Sequence, residues 1–238
     1  MIREGSKMRI LNFNIRLGGA KRTPQILNYL TSNDFDLIIL TEFIKNKNGE
    51  DIINCLSNQG YFIQISNENG GYGSFIASKH DFLTISIEDR WAGVYIPKMD
   101  LYVLGVYVQD EPGARKNSFW TKILKYAAEY SHENVLITGD FNSCTKEDSS
   151  NGTEYYAAEL NKLERIGYND LWNCYSNDKS NRYTWFYHSG EGFRLDYAFV
   201  SLQLDQRLNE VKVWHESEVR ENKVSDHSPL CIDCKLIL

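Results

Sequence analysis

Short apolar runs rich in β-branched and aromatic residues recur along nearly the whole chain, and they constrain the fold more than any other feature. RILNFNI, DLIILTE, GSFIAS, LYVLGVYV, NVLITGD, RLDYAFVS and PLCIDCKLIL are the clearest, each of strand length. Between them, apolar residues at helical spacing predict helices at about 23–32, 50–58, 117–131 and 154–166. Thr23-Pro24 reads as an N-cap followed by a proline in the first turn, and Phe119, Trp120, Ile123, Leu124 and Ala127 share a stripe of the third helix. Some strands follow one another through short polar turns such as NENGGYG. That favours an α/β protein with a mixed, mostly antiparallel sheet system over a purely parallel one.

No proline-rich or low-complexity linker interrupts the pattern, and 238 residues with 42% hydrophobic content suit one domain with a sizeable core. The strand pattern starts at Met8, so the expected domain is 8–238 with residues 1–7 as an N-terminal extension. Five irregularly spaced cysteines read as free thiols in a reducing compartment. Cys231 and Cys234 have CxxC spacing, yet on a strand they point to opposite faces, which makes them core thiols rather than a zinc or redox pair. The N-terminus lacks the apolar segment of a signal peptide, and no run approaches the ~18 apolar residues of a membrane span. A cytosolic monomer with no membrane partner is expected. A net charge of −6 and a pI near 5.4 argue against a bulk electrostatic grip on long nucleic acid. The local surplus of Arg9, Arg16, Lys21 and Arg22 reads mainly as a solvated face.

Several strands end on a polar residue suited to metal or phosphate chemistry. RILNFN closes on Asn14, DLIILTE on Glu42, LGVYV carries Tyr107, and LITGDFN closes on Asp140 and Asn142. RLDY sets Asp196 inside an apolar strand, and SDHSP puts Asp226 and His227 just before the final one. Singly, each is ordinary turn or cap chemistry. Jointly, Glu42 and Asp196 are carboxylates in apolar runs that must find partners or remain costly to bury.

Magnesium binds through one or two carboxylates plus substrate phosphate, and Glu42 with Asp226, helped by Asn14, supplies that donor set; manganese is the alternative. Phosphoester hydrolysis further needs a held water, a group to deprotonate it and donors for the developing charge. Asp140 suits the water, Asn142 and His227 suit the phosphoryl oxygens, Asp196 suits the imidazole's other nitrogen, and Tyr107 offers a phenolic donor.

The blocks FNI, LTE, GDFN, RLDY and SDHSP, in this order, resemble the endonuclease/exonuclease/phosphatase superfamily from Met8 to about Leu236. The resemblance implies a four-layer α/β sandwich with two central mixed sheets, a divalent metal, and phosphoester hydrolysis. On it, Asn14, Glu42, Asp140, Asn142, Asp196, Asp226 and His227 match the family's site positions, and Tyr107 matches the tyrosine of the exonuclease III and abasic-endonuclease branch. In that branch an aromatic pair and a leucine form a pocket for a base-free sugar, to which Trp185, Phe193 and Leu195 correspond. Arg115 and Lys116 follow Tyr107 as candidate phosphate contacts, beside Arg16, Lys45, Lys47 and Arg194. Two departures stand out: Arg16 replaces the acid or amide that abasic endonucleases tend to carry there, and FYHSGEG is short for a duplex-inserting loop. The resemblance to the exonuclease III branch makes DNA the expected partner, although these departures weaken a repair role. A small phosphoester such as an inositol phosphate, nucleotide or lipid head group is the alternative, and a catalytically silent nucleic-acid-binding regulator is a third class.

Overall fold

The computed structural model describes residues 5–67 and 70–237; Met1–Glu4, Glu68, Asn69 and Leu238 lie outside it, and with them part of the NENGGYG turn. In the first sheet, β1 (Ser6–Asn14), β2 (Leu37–Phe43), β3 (Phe62–Ile65), β4 (Gly73–Ser78), β13 (Leu208–His215) and β14 (Leu230–Leu236) run in the order β13-β14-β1-β2-β4-β3. The second holds β5 (Leu83–Glu88), β6 (Trp91–Ile96), β7 (Leu101–Tyr107), β8 (Val135–Asp140), β9 (Tyr168–Asp170) and β12 (Asp196–Ser201), in the order β5-β6-β7-β8-β12-β9. A small hairpin, β10 (Trp185–Phe186) with β11 (Gly192–Phe193), stands apart.

Helices α1 (Thr23–Ser32) and α2 (Lys47–Asn58) pack against the first sheet, and α3 (Ala114–Glu129) and α4 (Ala157–Ile166) against the second. Single-turn α5 (Leu171–Tyr175), α6 (Leu202–Asp205) and α7 (Ser217–Glu221) were not legible as periodic patterns, since one turn shows no period. Asp170 and Ser201 start the first two by accepting Trp172 and Leu204 N–H bonds. Thr23 is the first helical residue rather than the N-cap, and its hydroxyl donates back to Ala20 O at 2.8 Å.

The layers explain why so many strands read as unbroken apolar runs. Ile10, Leu37 and Ile39 face the opposite sheet with Val103, Leu136 and Ala198, while Leu11, Ile38 and Leu40 face α1 and α2. Both faces are covered, so both side-chain sets are apolar. Cys231 joins the helix-facing layer and Cys234 the inter-sheet layer, as expected of core thiols. β1 begins at Ser6, paired with Leu236, so Ser6 and Lys7 belong to the sheet and not to an extension. Among the described residues no helix is long and apolar enough to cross a membrane.

Among the described residues only two strand pairs are parallel, β1 with β2 and β7 with β8; every other ladder is antiparallel. In a parallel pair both strands finish at the same edge. The carboxyl ends carrying Asn14, Glu42, Tyr107 and Asp140 are therefore grouped pairwise, with Tyr107 in register with Asp140. β12 and β14 run antiparallel to these strands and start at that edge, bringing Asp196 opposite Asp140 and residues 225–228 beside the end of β1. Asn12 ties the two sheets together by donating to Gly139 O at 3.1 Å.

Candidate active site

A cleft of about 650 Å³ opens at this edge, lined by Glu42, Tyr107, Asp140, Asn142, Asp226 and His227, with Trp185, Phe193 and Leu195 along one side. The backbone is specialised where it delivers these groups. Glu42 sits at φ 55 in an irregularity between Leu40 and Phe43, which turns its carboxylate out of the strand's alternation into the cleft. Asn142 sits at φ 44. Gly139 has φ 153, and a Cβ there would lie 1.8 Å from Val106 O, so no side chain fits where β7 and β8 pinch together.

Asn14 is a bridge. Its Nδ2 donates to Asp140 Oδ2 at 2.9 Å and to Glu42 Oε1 at 3.1 Å, and its Oδ1 accepts the Arg16 N–H at 2.9 Å. The residue expected to help hold a cation thus orients two carboxylates, because its oxygen is committed to the backbone. Asp140 also accepts the Asn142 N–H at 2.8 Å. Burial and the nearby Asp196 charge push Asp140 up to about 7. It is poised to exchange a proton near neutrality.

His227 Nδ1 lies 2.8 Å from Asp196 Oδ2, both buried, as the expected orienting pair requires. Burial pushes the imidazole down, but Asp196, and then Asp140, outweigh it and raise His227 to about 10. The ring is a charged double donor, with Nδ1–H on Asp196 and Nε2–H available to an anion. Ser225, not singled out in the sequence although it opens the SDH block, holds both ends of this arrangement. Its hydroxyl donates to Asn14 O at 2.6 Å and accepts the His227 N–H at 3.2 Å. Tyr107 is buried, and burial with the Glu42 and Asp140 charges raises its phenol, which keeps it a neutral donor. Arg90 lies over its ring at 4.6 Å. Asn142 spends one amide N–H on Val108 O at 2.9 Å and keeps the other in a long 3.4 Å contact with Asp140, from which it can turn to a substrate oxygen.

The donor set fits a hard cation at Glu42 and Asp226. Asp226 Oδ1 is buried without a hydrogen-bond partner, while its Oδ2 is 3.2 Å from Arg16 Nε. Glu42 Oε2 accepts the Leu17 N–H at 2.7 Å. An orphaned carboxylate oxygen in the same cleft as a second carboxylate suits an oxygen-seeking ion. Asp140, Asp196 and His227 form another cluster, with ligand atoms within 4.8 Å of one another. We favour the first position for a hard ion, since an imidazolium already donating to Asp196 has no lone pair to offer.

Three expected phosphate contacts are placed otherwise. Arg115 lies on a separate groove with Glu88 and Asp89, because consecutive helical residues diverge by about 100°. Lys116 is buried, donates to Asn142 O and, at 3.5 Å, to Asp110 O, and sits 4.5 Å over Tyr156; burial pushes it down to about 8. It braces the Asn142 loop. Arg194 is buried in a bidentate pair with Asp148, at 2.7 and 2.9 Å, and at 2.6 Å from Asp170. Trp185, Phe193 and Leu195 do gather at the cleft, in a small apolar cluster with Cys144.

Residues 11–227 match the Endonuclease/Exonuclease/phosphatase family. A 3'-5' exonuclease (NExo) from Neisseria meningitidis superposes with TM-score 0.79 at 19% identity over 96% of this chain and 100% of its own. An AP endonuclease from Archaeoglobus fulgidus gives 0.77 at 20% identity over 94% and 98%, and truncated TDP2 of Caenorhabditis elegans 0.73 at 18% over 99% and 100%. These likenesses concern the fold. Among curated protein sequences none matches.

Proposed function

The chain belongs to the endonuclease/exonuclease/phosphatase family, and on that premise we propose that it is a divalent-metal-dependent phosphodiesterase that hydrolyses DNA by in-line attack of water. One observation carries the reading: the buried His227–Asp196 pair, at 2.8 Å, and the Asp140 carboxylate, held by Asn14 and the Asn142 N–H, meet at one cleft with an orphaned Asp226 carboxylate oxygen. Structures of similar fold described as bound to a product DNA hairpin and to a single-strand DNA product support DNA as the substrate class.

The roles follow from the hydrogen bonds. Asp140, held by Asn14 and the Asn142 N–H, takes the proton of the attacking water as its oxygen bonds to phosphorus. His227 Nε2–H and the second Asn142 amide N–H, turned from its long contact with Asp140, donate to the phosphoryl oxygens, where charge accumulates. Asp196 fixes the imidazole's orientation and charge. The ester oxygen leaves as its bond to phosphorus breaks, and the neutral Tyr107 phenol, which lines the same cleft, is a donor for it. A magnesium or manganese ion held by Glu42 and Asp226 would supply positive charge against the negative charge that develops during hydrolysis.

Turnover of end-labelled single-stranded, duplex and abasic DNA and of an inositol phosphate, with Mg²⁺ and after EDTA, tests the reading. DNA cleavage that stops with EDTA and returns with Mg²⁺ is expected. Full activity in EDTA, or turnover of the inositol phosphate alone, would overturn it.

A further inference from the structure

Of the nine large apolar or aromatic side chains exposed among the described residues, Tyr155, Phe186 and Tyr187 belong to the segments beside the cleft. Tyr155 is 50% and Tyr187 49% exposed, and both line the same cavity as Asn142 and His227. They continue inward as one aromatic run: Tyr155 meets Phe193 at 6.1 Å, Phe193 meets Trp185 at 5.9 Å, and Trp185 meets Tyr187 at 5.9 Å. The backbone under each rim tyrosine is anchored. Tyr155 exchanges two 2.9 Å hydrogen bonds with Cys144, and Tyr187 N–H donates to Glu191 O at 2.8 Å. Rings exposed on fixed backbone present stacking surface at low conformational cost.

The charges around this run are sparse and of the wrong sign for a duplex. Besides the His227 imidazolium, already paired with Asp196, Lys116 is the single cation among the described residues lining the cavity, and its ammonium is committed to carbonyl oxygens. Asp110 and Glu191 stand in the same wall. Duplex DNA brings a phosphate charge about every 1.7 Å of axis, so a protein that grips it needs a row of free cations. A single terminal nucleotide brings few charges and one large π-face. The cavity, about 650 Å³, also exceeds what a base-free sugar fills; such a sugar would leave Tyr155 and Tyr187 in water.

We propose that the cleft takes an unpaired, base-bearing terminal nucleotide of DNA, its base laid on the Tyr155–Phe193–Trp185–Tyr187 run and its phosphodiester delivered to Asn142 and His227. This deepens the proposed function and rests on it. Aromatic stacking then replaces the electrostatic grip that the acidic chain lacks.

Equilibrium binding of the full chain, with Ca²⁺ in place of Mg²⁺ to block turnover, tests this. The probes are an eight-nucleotide single strand, a blunt duplex of the same sequence, and the single strand ending in a base-free sugar. A fourth and fifth carry 2-aminopurine at the 3' or the 5' terminus. The base-bearing single strand should bind at least ten times more tightly than the other two, and 2-aminopurine should be quenched at one terminus. Tyr155→Leu and Tyr187→Leu should each weaken binding roughly 5- to 150-fold, the scale of base–aromatic stacking, while the corresponding Phe variants retain it. Equal affinity for base-bearing and base-free ends, a blunt duplex bound as tightly, or no quenching at either terminus would overturn the inference. A chain that cuts duplex DNA yet ignores the terminal base would sink this inference alone. One that binds no oligomer but hydrolyses a small phosphoester would sink the proposed function with it.

Discussion

Arg194→Met should be among the most destabilising single changes in this protein. The guanidinium is 1% exposed and forms the bidentate pair with Asp148 and the shorter contact with Asp170, themselves 1% and 4% exposed. It also packs 4.2 Å over Tyr197, whose hydroxyl is 3.1 Å from Asp148 Oδ2. Methionine replaces much of the apolar stem but leaves two buried carboxylates, with Arg182 alone, at 2.8 Å from Asp148, to compensate them. Breaking a buried pair by removing one partner costs about 3–5 kcal/mol. For a chain of this length that lowers the melting temperature by about 6–20 °C, at roughly 2–4 °C per kcal/mol. Burial pushes Asp148 up, but Arg194 and Arg182 outweigh it and hold the carboxyl below its ordinary value. A depressed folded pKa gives stability that is present above the unfolded pKa and lost as pH falls through the folded one. The deficit of the variant should therefore be widest near pH 7 and narrow toward about pH 3, where the Asp148 carboxyl takes up its proton. Urea and thermal unfolding at both pH values measure this, and adding Asp148→Asn with Asp170→Asn to Arg194→Met should recover most of the loss. A loss under about 1 kcal/mol at pH 7, or a triple variant no more stable than the single one, would refute the reasoning.

Asp196→Asn should slow the chemical step through His227 alone, so combining it with His227→Ala should cost little more than His227→Ala; additive losses in single-turnover rates would separate the two residues. Asp140→Asn should lower the single-turnover rate by roughly 10²–10⁴-fold, and a loss under about tenfold would remove Asp140 from the proton transfer. His215 is pushed down to about 3 by burial, stacks on Trp172 at 3.9 Å and donates from Nδ1 to Asn181 O at 2.9 Å, so it stays neutral when folded. Its unfolded form protonates near 6.5, so stability should fall by about 2 kcal/mol between pH 7 and 5 from this residue. His215→Phe should show a correspondingly flatter unfolding profile, and an unchanged slope would contradict the assignment. Gly139→Ala should shift the end of β8 or fail to fold, because its Cβ meets Val106 O; a variant with wild-type melting and turnover would show that the pinch is not required.

What was local in origin was legible in the chain. Apolar runs bounded by turn residues marked most of the strands, and their polar ends marked Asn14, Glu42, Asp140 and Asn142, since a strand's length and termination are set by neighbouring residues. The one-turn helices escaped notice because their stability comes from caps and packing. The site's internal logic needed the third dimension. That the two parallel pairs finish at one edge is a property of chain pairing, and so is the start of β12 opposite Asp140; neither is written in any one segment. Arg115, Lys116 and Arg194 look alike as cations beside site motifs. Helix rotation, burial against Asn142, and the Asp148–Asp170 pair give them three different roles, because the fate of a charge depends on which groups the fold brings within a few ångströms and on how much water it leaves there.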